Sequence, residues 1–490
     1  MTCRRKLAGI LAAVFFFVIA AAGQSPELVA KSQRARDMMA AGRFEEAIPV
    51  YLQLVQALPD NPGLLLNLGL ARHMAGHDRE AALNFEAVLR SQPKLLPALI
   101  SLGECRLSTG ETRKAIAPLE RALAIEPDSL SVLGLLAGAL MDLGNFAQSA
   151  AHYRRLTSLS HGDTRAWYAL GMSYESIATA AFERLQKLDL KSPWVSALVA
   201  DTRVQRRQYR SAFFFYEEAL KNLPNLPGIH ASLAGIYRKT GHEDWAAEED
   251  AKEHALPSAA DRDLLAAVMP LPVTAPPEAL YWQASAANEL ALQAFSQLGK
   301  LPPSVELHRF QADVARNQNQ HMEAVKEWRA ALELAPADPR LRYEMTVSLF
   351  MARDFRSAFD AALALLRSMP RKAELNFIAG DSLLRLEEPE KAIPYLRTAL
   401  AADPKLLAAN ASIGLSLCRL GKNAEAVPHL EKSLELDDDG SLHYQLARAY
   451  QASGNPEKSR IAMAKYQEIL KRNQDATDEL AREAQISPPR

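Results

Sequence analysis

Two histidines in the N-terminal half of the chain stand at a spacing that metal ligands on a helix use. His73 and His77 are four residues apart, and imidazole nitrogens at this spacing can bind one zinc ion when they share a helical face. A glycine, Gly76, falls between them and is typical of a chain reversal. The two imidazoles are therefore not expected to share a face, and the sequence predicts no bound metal and no cofactor.

Paired carboxylates are the groups that acid–base catalysis uses, and adjacent glutamates occur at several places in the chain. Neighbouring residues of a helix point in different directions, so these pairs are expected to be exposed helix surface. The sequence contains neither a Gly-x-Ser-x-Gly elbow nor a phosphate-binding glycine loop. We therefore predict that the protein is not an enzyme and has no catalytic residues. Examples of such pairs are Glu45–Glu46, Glu217–Glu218 and Glu248–Glu249.

The sequence in which these histidines and glutamates lie repeats with a period of 34 residues. Small residues in the pattern let two helices approach closely, an aromatic residue or leucine fills the gap between neighbouring helix pairs, and a proline ends the second helix. The period therefore predicts a chain of helix pairs. The recurring triplets are Ala47, Tyr51 and Pro59, then Ala81, Phe85 and Pro93, then Ala115, Leu119 and Pro127; Leu65-x-x-Leu68-Gly69 likewise recurs as Leu99-x-x-Leu102-Gly103.

This pattern resembles the tetratricopeptide repeat (TPR) family from about residue 28 to residue 473. The segments Gly42 to Ala47 and Gly76 to Ala81 look like the family's turn and second-helix start. The resemblance implies an all-α solenoid of helix–turn–helix units in a right-handed superhelix. We expect turn glycines at Gly42, Gly76, Gly110, Gly144, Gly241, Gly421 and Gly454, and first-turn prolines of second helices at Pro49, Pro118, Pro394 and Pro428. Units are predicted to begin near Leu28, Pro62, Leu96, Leu130, Thr164, Pro193, Pro227, Val305, Pro339, Ala373, Leu407 and Gly440.

Two segments depart from the repeat and resemble each other. One begins at Thr164, lacks a turn glycine and has no helix breaker before Pro193; the segment Leu280 to Leu298 repeats its pattern. We predict a long or kinked helix for each, with a helix pair as the alternative that the sequence leaves open. Between them lies a proline-rich stretch, an arrangement similar to secreted bacterial multi-TPR proteins of undefined activity. The predicted divisions are a signal peptide at 1–23, an N-terminal TPR array at 24–257, a Pro-rich linker at 258–279, a C-terminal TPR array at 280–473 and a polar C-terminal tail or cap at 474–490.

The N-terminus has the pattern of a secretory signal. Three basic residues, Arg4, Arg5 and Lys6, precede an apolar run from Leu7 to Ala22, and small residues follow. We expect cleavage before Gly23 or Gln24 and a periplasmic or secreted protein. The alternative is an uncleaved membrane anchor, for which the run is short, since a span needs roughly 20 residues.

Charge and cysteine content exclude some function classes. The 57 Lys and Arg residues nearly balance the 58 Asp and Glu residues, so we expect no nucleic-acid partner. We also expect no membrane span once the signal is removed. Of the three cysteines, Cys105 and Cys418 fall many repeats apart, too far for a disulfide, and each is expected to be a buried residue in a helix.

Family geometry puts certain first-helix positions on the concave face of a TPR array. In the C-terminal array these positions carry arginine and aromatic residues, which are enriched at binding hot spots. We predict a non-catalytic interaction scaffold of the cell envelope or exterior that binds an extended peptide or a protein partner there. The alternatives are an adaptor of an envelope export or polysaccharide assembly system and an accessory to a glycan-processing enzyme. The predicted binding residues are Arg309, Arg316, Arg340, Tyr343, Phe377, Asp381, Arg385, Tyr444 and Arg448.

Overall fold

A computed structural model describes residues 26–256, 263–483 and 485–489 of the chain. All regular elements among these residues are helices, which confirms the predicted all-α class. No helix among them is long and apolar enough to cross a membrane. The predicted signal peptide lies outside the described residues.

Contact clustering divides the chain into two units. Of the described residues, unit 1 comprises 26–180, 264–272 and 286–298, and unit 2 comprises 181–256, 263, 273–285, 299–483 and 485–489. Unit 1 contains four helix pairs, in which consecutive helices pack on one another. They are Pro26–Ala40 with Phe44–Ala57, Pro62–Ala75 with Asp78–Ser91, Leu96–Ser108 with Thr112–Ile125, and Leu130–Asp142 with Phe146–Leu159; the short helix Leu264–Ala267 is also in unit 1.

Unit 2 contains further helix pairs of the same kind. They are Pro193–Gln205 with Tyr209–Asn222, Ile229–Lys239 with Glu243–His254, Val305–Asn317 with His321–Leu334, Pro339–Met351 with Phe355–Leu366, Ala373–Arg385 with Pro389–Ala402, Leu407–Arg419 with Asn423–Ser433, and Ser441–Ala452 with Pro456–Glu483. A 3-10 turn, Leu434–Leu436, precedes the last pair.

The two segments without a turn glycine each form one helix. Thr164–Leu188 has 25 residues and Pro277–Leu298 has 22, and each contributes residues to both units. The prediction of long helices is therefore confirmed. The first three residues of the second helix lie within the predicted linker, and residues 257–262 of the proline-rich stretch lie outside the described residues.

Turn geometry explains why the pairs reverse where they do. Gly76 has φ 93°, and the amide of the next residue donates to Arg72 O at 2.8 Å, which closes the end of the first helix. All seven predicted turn glycines have positive φ. Four turns use other residues in the same conformation, which a side chain disfavours by about 1–2 kcal/mol: Arg207, Asn319, Arg353 and Glu387.

The four prolines expected in the first turn of second helices lie deeper, so that prediction was wrong. Pro49 is the sixth residue of Phe44–Ala57, for example, because each second helix begins only one residue after the turn. A proline there leaves one carbonyl without its helical donor. The other three occupy similar positions: Pro118, Pro394 and Pro428.

Close packing between the two helices of a pair follows a fixed spacing. A Cβ placed on Gly103 would come 2.5 Å from Leu119 Cδ2, and one on Gly69 would come 2.7 Å from Phe85 Cε1. In each case the neighbour is the large side chain sixteen residues further on, in the second helix of the same pair. Gly380 meets Leu396 and Gly414 meets Leu430 at the same spacing.

Gly171, in the long helix Thr164–Leu188, has a neighbour from elsewhere in the chain. A Cβ there would come 2.5 Å from the ring of Phe295, which belongs to Pro277–Leu298. Tyr168 packs on the same ring at a centroid distance of 6.3 Å. The long helix has no second helix of its own, so a residue 124 positions later fills the space within unit 1.

Candidate functional site

The predicted binding residues all lie on first helices in unit 2: three successive ones from Val305–Asn317 to Ala373–Arg385, and the last, Ser441–Ala452. The first helix between them, Leu407–Arg419, carries none. Arg340, Arg385, Tyr444 and Arg448 are exposed. Four others are half-buried, and Asp381 is only 4% exposed. The half-buried residues are Arg309, Arg316, Tyr343 and Phe377.

An ion-pair network joins the first two of these helices. Arg316 lies 2.6 Å from Asp313 on its own helix and 2.7 Å from Glu344 on the next first helix. The pKa of the Asp313 carboxyl is raised, mainly because the group is buried. The positive charge of Arg316 lowers this pKa, and the negative charge of Glu344 raises it further. Arg309 also lies close enough to lower that pKa. Two predicted residues, Arg309 and Arg316, thus belong to one charged cluster.

Aromatic side chains continue the row on the following helices. The rings of Phe350 and Phe377, from consecutive first helices, meet edge to face at a centroid distance of 5.9 Å. Burial raises the pKa of the Tyr343 hydroxyl, and Glu374 of the next first helix adds to that shift. Such pairs leave part of each ring available to a ligand, because neither aromatic side chain is fully covered.

Asp381 differs from the other predicted residues because it faces inward. Its Oδ1 accepts a hydrogen bond of 2.7 Å from Ser412 on the next first helix, and its Oδ2 lies 3.3 Å from Arg385 Nε. The Arg385 side chain is 52% exposed. Asp381 therefore positions an exposed guanidinium and has no surface of its own to offer a partner.

The last pair supplies a cation–aromatic contact. The Arg448 guanidinium carbon lies 5.9 Å from the Tyr444 ring centroid, and Tyr466 packs on that ring at 5.4 Å. Guanidinium and ring stabilise one another at this distance. Tyr444 and Arg448 are thus held together as a pair, while Arg309 and Arg316 lie at the other end of the row.

A second concave surface in unit 2 was not found from the sequence. Tyr237 donates a hydrogen bond of 2.7 Å to Ser487 O, so residues beyond the last helix lie against the helix Ile229–Lys239. A cavity of about 940 Å³ adjoins this contact. A contact across 250 residues leaves no local pattern in the sequence. The cavity lining includes Arg203, Arg207, Tyr209, Arg210, Phe215 and Ile486.

Comparison with known proteins agrees with the repeat geometry. Residues 106–172 match one tetratricopeptide-repeat family model, and residues 33–94 and 347–406 match another. The fold and these matches define a helical-repeat solenoid. These three segments of the chain are tetratricopeptide repeats, and proteins built from such repeats are generally non-catalytic scaffolds for protein interactions. A comparison with curated protein sequences gives no match.

Several solved TPR structures are similar to parts of the chain. MamA from Desulfovibrio magneticus is 21% identical with a TM-score of 0.32, and the match covers 35% of this chain and 97% of MamA. TTC0263 from Thermus thermophilus is 18% identical with a TM-score of 0.29, covering 37% of this chain and 100% of that protein. YrrB, described as a TPR protein with an unusual peptide-binding site, is 22% identical with a TM-score of 0.30, and the match covers 36% of this chain and 91% of YrrB.

Proposed function

We propose that the protein is a non-catalytic scaffold whose unit 2 first helices bind an extended peptide segment of a protein partner. The observation that carries this proposal is the continuity of the row. Contacts join four consecutive first helices at three junctions. Arg316 contacts Glu344, and Phe350 packs on Phe377. At the third junction Asp381 accepts from Ser412, and Arg419 donates to the Leu384 carbonyl.

The composition of the row suits a peptide. Exposed guanidinium groups can donate paired hydrogen bonds to carboxylates or main-chain carbonyls, and half-buried rings offer rigid apolar area between them. Such groups recur once per repeat along the face, so an extended chain could contact several in succession. A small metabolite would instead need a closed pocket that surrounds most of its surface.

A charge-matched pair of double variants tests the face. A displayed random-peptide library is selected on the full chain, and the affinity of the best peptide is measured by fluorescence anisotropy. Arg340→Ala with Arg385→Ala should weaken binding by about tenfold or more, as expected when two hot-spot side chains are lost. The control, Arg329→Ala with Arg397→Ala, removes two exposed arginines from second helices and should change affinity less than about twofold.

Equal losses in both double variants would contradict a binding site on the first helices. A library that yields no binder to the folded chain would contradict peptide binding altogether. Circular dichroism should show unchanged helicity in both variants, since none of the four arginines is buried.

We also propose that the scaffold acts outside the cytoplasm, in the periplasm or beyond. The support is the basic start and apolar run at the N-terminus. N-terminal sequencing of the exported chain should give Gly23 or Gln24 as the first residue. An intact Met1 in the membrane fraction would contradict cleavage and support the alternative of an anchor.

A further inference from the structure

Three side chains with different ligand atoms converge inside unit 1. His73 Nδ1 lies 2.5 Å from Asp78 Oδ1 and 3.3 Å from Cys105 Sγ, and that sulfur lies 3.8 Å from the same carboxylate oxygen. His73 and Asp78 flank the turn of the second helix pair, and Cys105 lies in the first helix of the third pair. The side chains of His73 and Asp78 are 13% and 11% exposed, and Cys105 is fully buried.

The repeat fold does not require polar residues at these places. Shifting each position by 34 residues in either direction leads to apolar or small residues in neighbouring pairs. In the pair two repeats on, Met141 and Ser173 occupy the positions of His73 and Cys105, with Ser173 Oγ 3.7 Å from the methionine sulfur. The single-repeat equivalents are Met39 and Leu107 for His73, Phe44 and Thr112 for Asp78, and Ala71 and Ala139 for Cys105.

The arrangement is not that of a catalytic cysteine with its histidine. In such sites one imidazole nitrogen faces the nucleophile and the other faces the carboxylate that orients the ring. Here Cys105 and Asp78 both face Nδ1 of His73. The sulfur is also fully buried, so a substrate could not reach it. Ligand atoms that converge on one point are instead what a cation needs.

We propose that His73, Asp78 and Cys105 bind one divalent transition-metal ion of the zinc class. A histidine nitrogen, a carboxylate oxygen and a thiolate form a mixed set that zinc accepts, and three protein ligands leave a fourth tetrahedral position for water. This proposal replaces the sequence-based expectation of no metal site, which rested on spacing along the chain, including that of His73 and His77. His77 instead lies 3.0 Å from Glu45 and belongs to the exposed surface.

The distances suit a tetrahedral centre after one small adjustment. Zinc bond lengths of about 2.0–2.3 Å place neighbouring ligand atoms about 3.4–3.6 Å apart. The distances from Cys105 Sγ to His73 Nδ1 and Asp78 Oδ1 bracket this range. The distance of 2.5 Å between His73 and Asp78 fits a proton shared by imidazole and carboxylate. A metal ion that displaces this proton would require the two atoms to separate by about 0.9 Å.

Glu104 supplies an independent indication of a metal. Its Oε2 is buried without a hydrogen-bond partner and lies 3.8 Å from His73 Nε2, the nitrogen that faces away from the cluster. Metal-bound histidines usually donate that second N–H to a carboxylate. A neutral ring bound through Nδ1 would carry its proton on Nε2, where Glu104 could accept it. Ser108 Oγ donates to the other oxygen of Asp78 and so orients that ligand.

Charge in the cluster points the same way. Asp78 and Glu104 lie 2.5 Å and 3.8 Å from the two ring nitrogens of His73, and these three side chains are at most 15% exposed. Acidic groups thus outnumber the single imidazole in a nearly dry site. A dication would offset this excess and release the thiol proton on binding.

Cobalt titration of the full chain tests the site, because cobalt(II) replaces zinc and reports thiolate ligation by colour. The chain is stripped with a chelator under reducing conditions, and cobalt(II) is added while the near-ultraviolet absorbance is followed. We expect a thiolate-to-metal charge-transfer band that saturates at one ion per chain and disappears when zinc is added. Cys105→Ala should abolish the band, and Glu104→Gln should weaken binding by about 10–100-fold.

Matched variants separate ligation from folding. Cys105→Ala and His73→Leu install residues that neighbouring repeats already carry at these positions, Ala71 and Leu107, so the array should stay folded. The controls are Cys418→Ala, which removes the other helical cysteine, and His77→Gln; both should bind cobalt within about twofold of wild type. A folded chain without the band, or a band that survives Cys105→Ala, would overturn the proposal.

Discussion

Phe295 is the residue whose removal tests the most unusual contact in unit 1. Its ring is 4% exposed and fills the space beside Gly171, where a Cβ would approach it to 2.5 Å. Truncating a buried phenylalanine to alanine leaves a cavity and costs about 3–5 kcal/mol. Since about 1.4 kcal/mol changes an equilibrium constant tenfold, local opening should become two to three orders of magnitude more frequent. We therefore expect Phe295→Ala to loosen the helix Thr164–Leu188 as well as its own.

Hydrogen exchange with mass spectrometry reads this effect segment by segment. Repeat arrays open locally, so a single melting temperature averages over helices that are not affected. Peptides from the first half of Thr164–Leu188 should lose protection in Phe295→Ala. Peptides from the helix pair Pro62–Ala75 and Asp78–Ser91 should keep their protection, because the glycine of that pair packs on Phe85 and not on Phe295.

The control lies one turn away on the same helix. Leu292 is 60% exposed, and Leu292→Ala removes a similar apolar group at a cost of less than about 0.5 kcal/mol. An exchange increase in Phe295→Ala that stays within Pro277–Leu298 would refute the packing argument. So would equal effects of the two substitutions on Thr164–Leu188.

Two further perturbations follow from the same kind of contact. Gly103→Leu should destabilise the protein by about 1–3 kcal/mol, because the new side chain would overpack against Leu119. The control is Gly235→Ala, whose Cβ would have open space around it and which should be neutral or stabilise the protein by up to about 1 kcal/mol. Thermal unfolding compares the two variants, and equal melting temperatures would contradict the packing of Gly103 on Leu119. The hydrogen bond with Glu249 is the main cause that raises the pKa of His230. The stabilisation from that bond is therefore present below about pH 6.5 and is lost as pH rises through the folded-state pKa. Hydrogen exchange from Ile229–Lys239, corrected for intrinsic rate, should accelerate as pH rises above about 6.5, and His230→Gln should show no such dependence.

The 34-residue period predicted most of the helix boundaries because each unit repeats the same local signals. Helices begin at the predicted residue in most units, and the first begins two residues before the predicted Leu28. The starts that coincide are Pro62, Leu96, Leu130, Thr164, Pro193, Val305, Pro339, Ala373 and Leu407. Turns without glycine, such as the one at Glu387 with φ 63°, were less visible, since their conformation is imposed by the two packed helices.

Side-chain roles were harder to predict than helices, because they depend on which repeat positions stacking brings together. Asp381 shares its first helix with Arg385 and was assigned to the same face, yet a hydrogen bond from Ser412 of the next repeat holds it inside. Family geometry gives the direction in which the side chain at a repeat position usually points. A polar neighbour one repeat later can turn that side chain inward. A carboxylate near a serine of the following first helix is therefore better interpreted as a support for its neighbour than as a contact for a partner.

The same argument explains why the cluster around Cys105 escaped notice. Metal motifs are sought at short spacings, but stacked repeats place residues about one period apart in contact, and His73 and Cys105 are separated by 32 positions. In a solenoid the informative comparison is thus between one position and its equivalents in neighbouring repeats. His73 stands where the neighbouring repeats carry methionine or leucine, and Cys105 stands where they carry alanine. Helix packing does not require either polar side chain. The two side chains touch each other, and His73 faces the buried carboxylate of Glu104 with its other nitrogen; this juxtaposition, and no short motif, is what the metal-site proposal rests on.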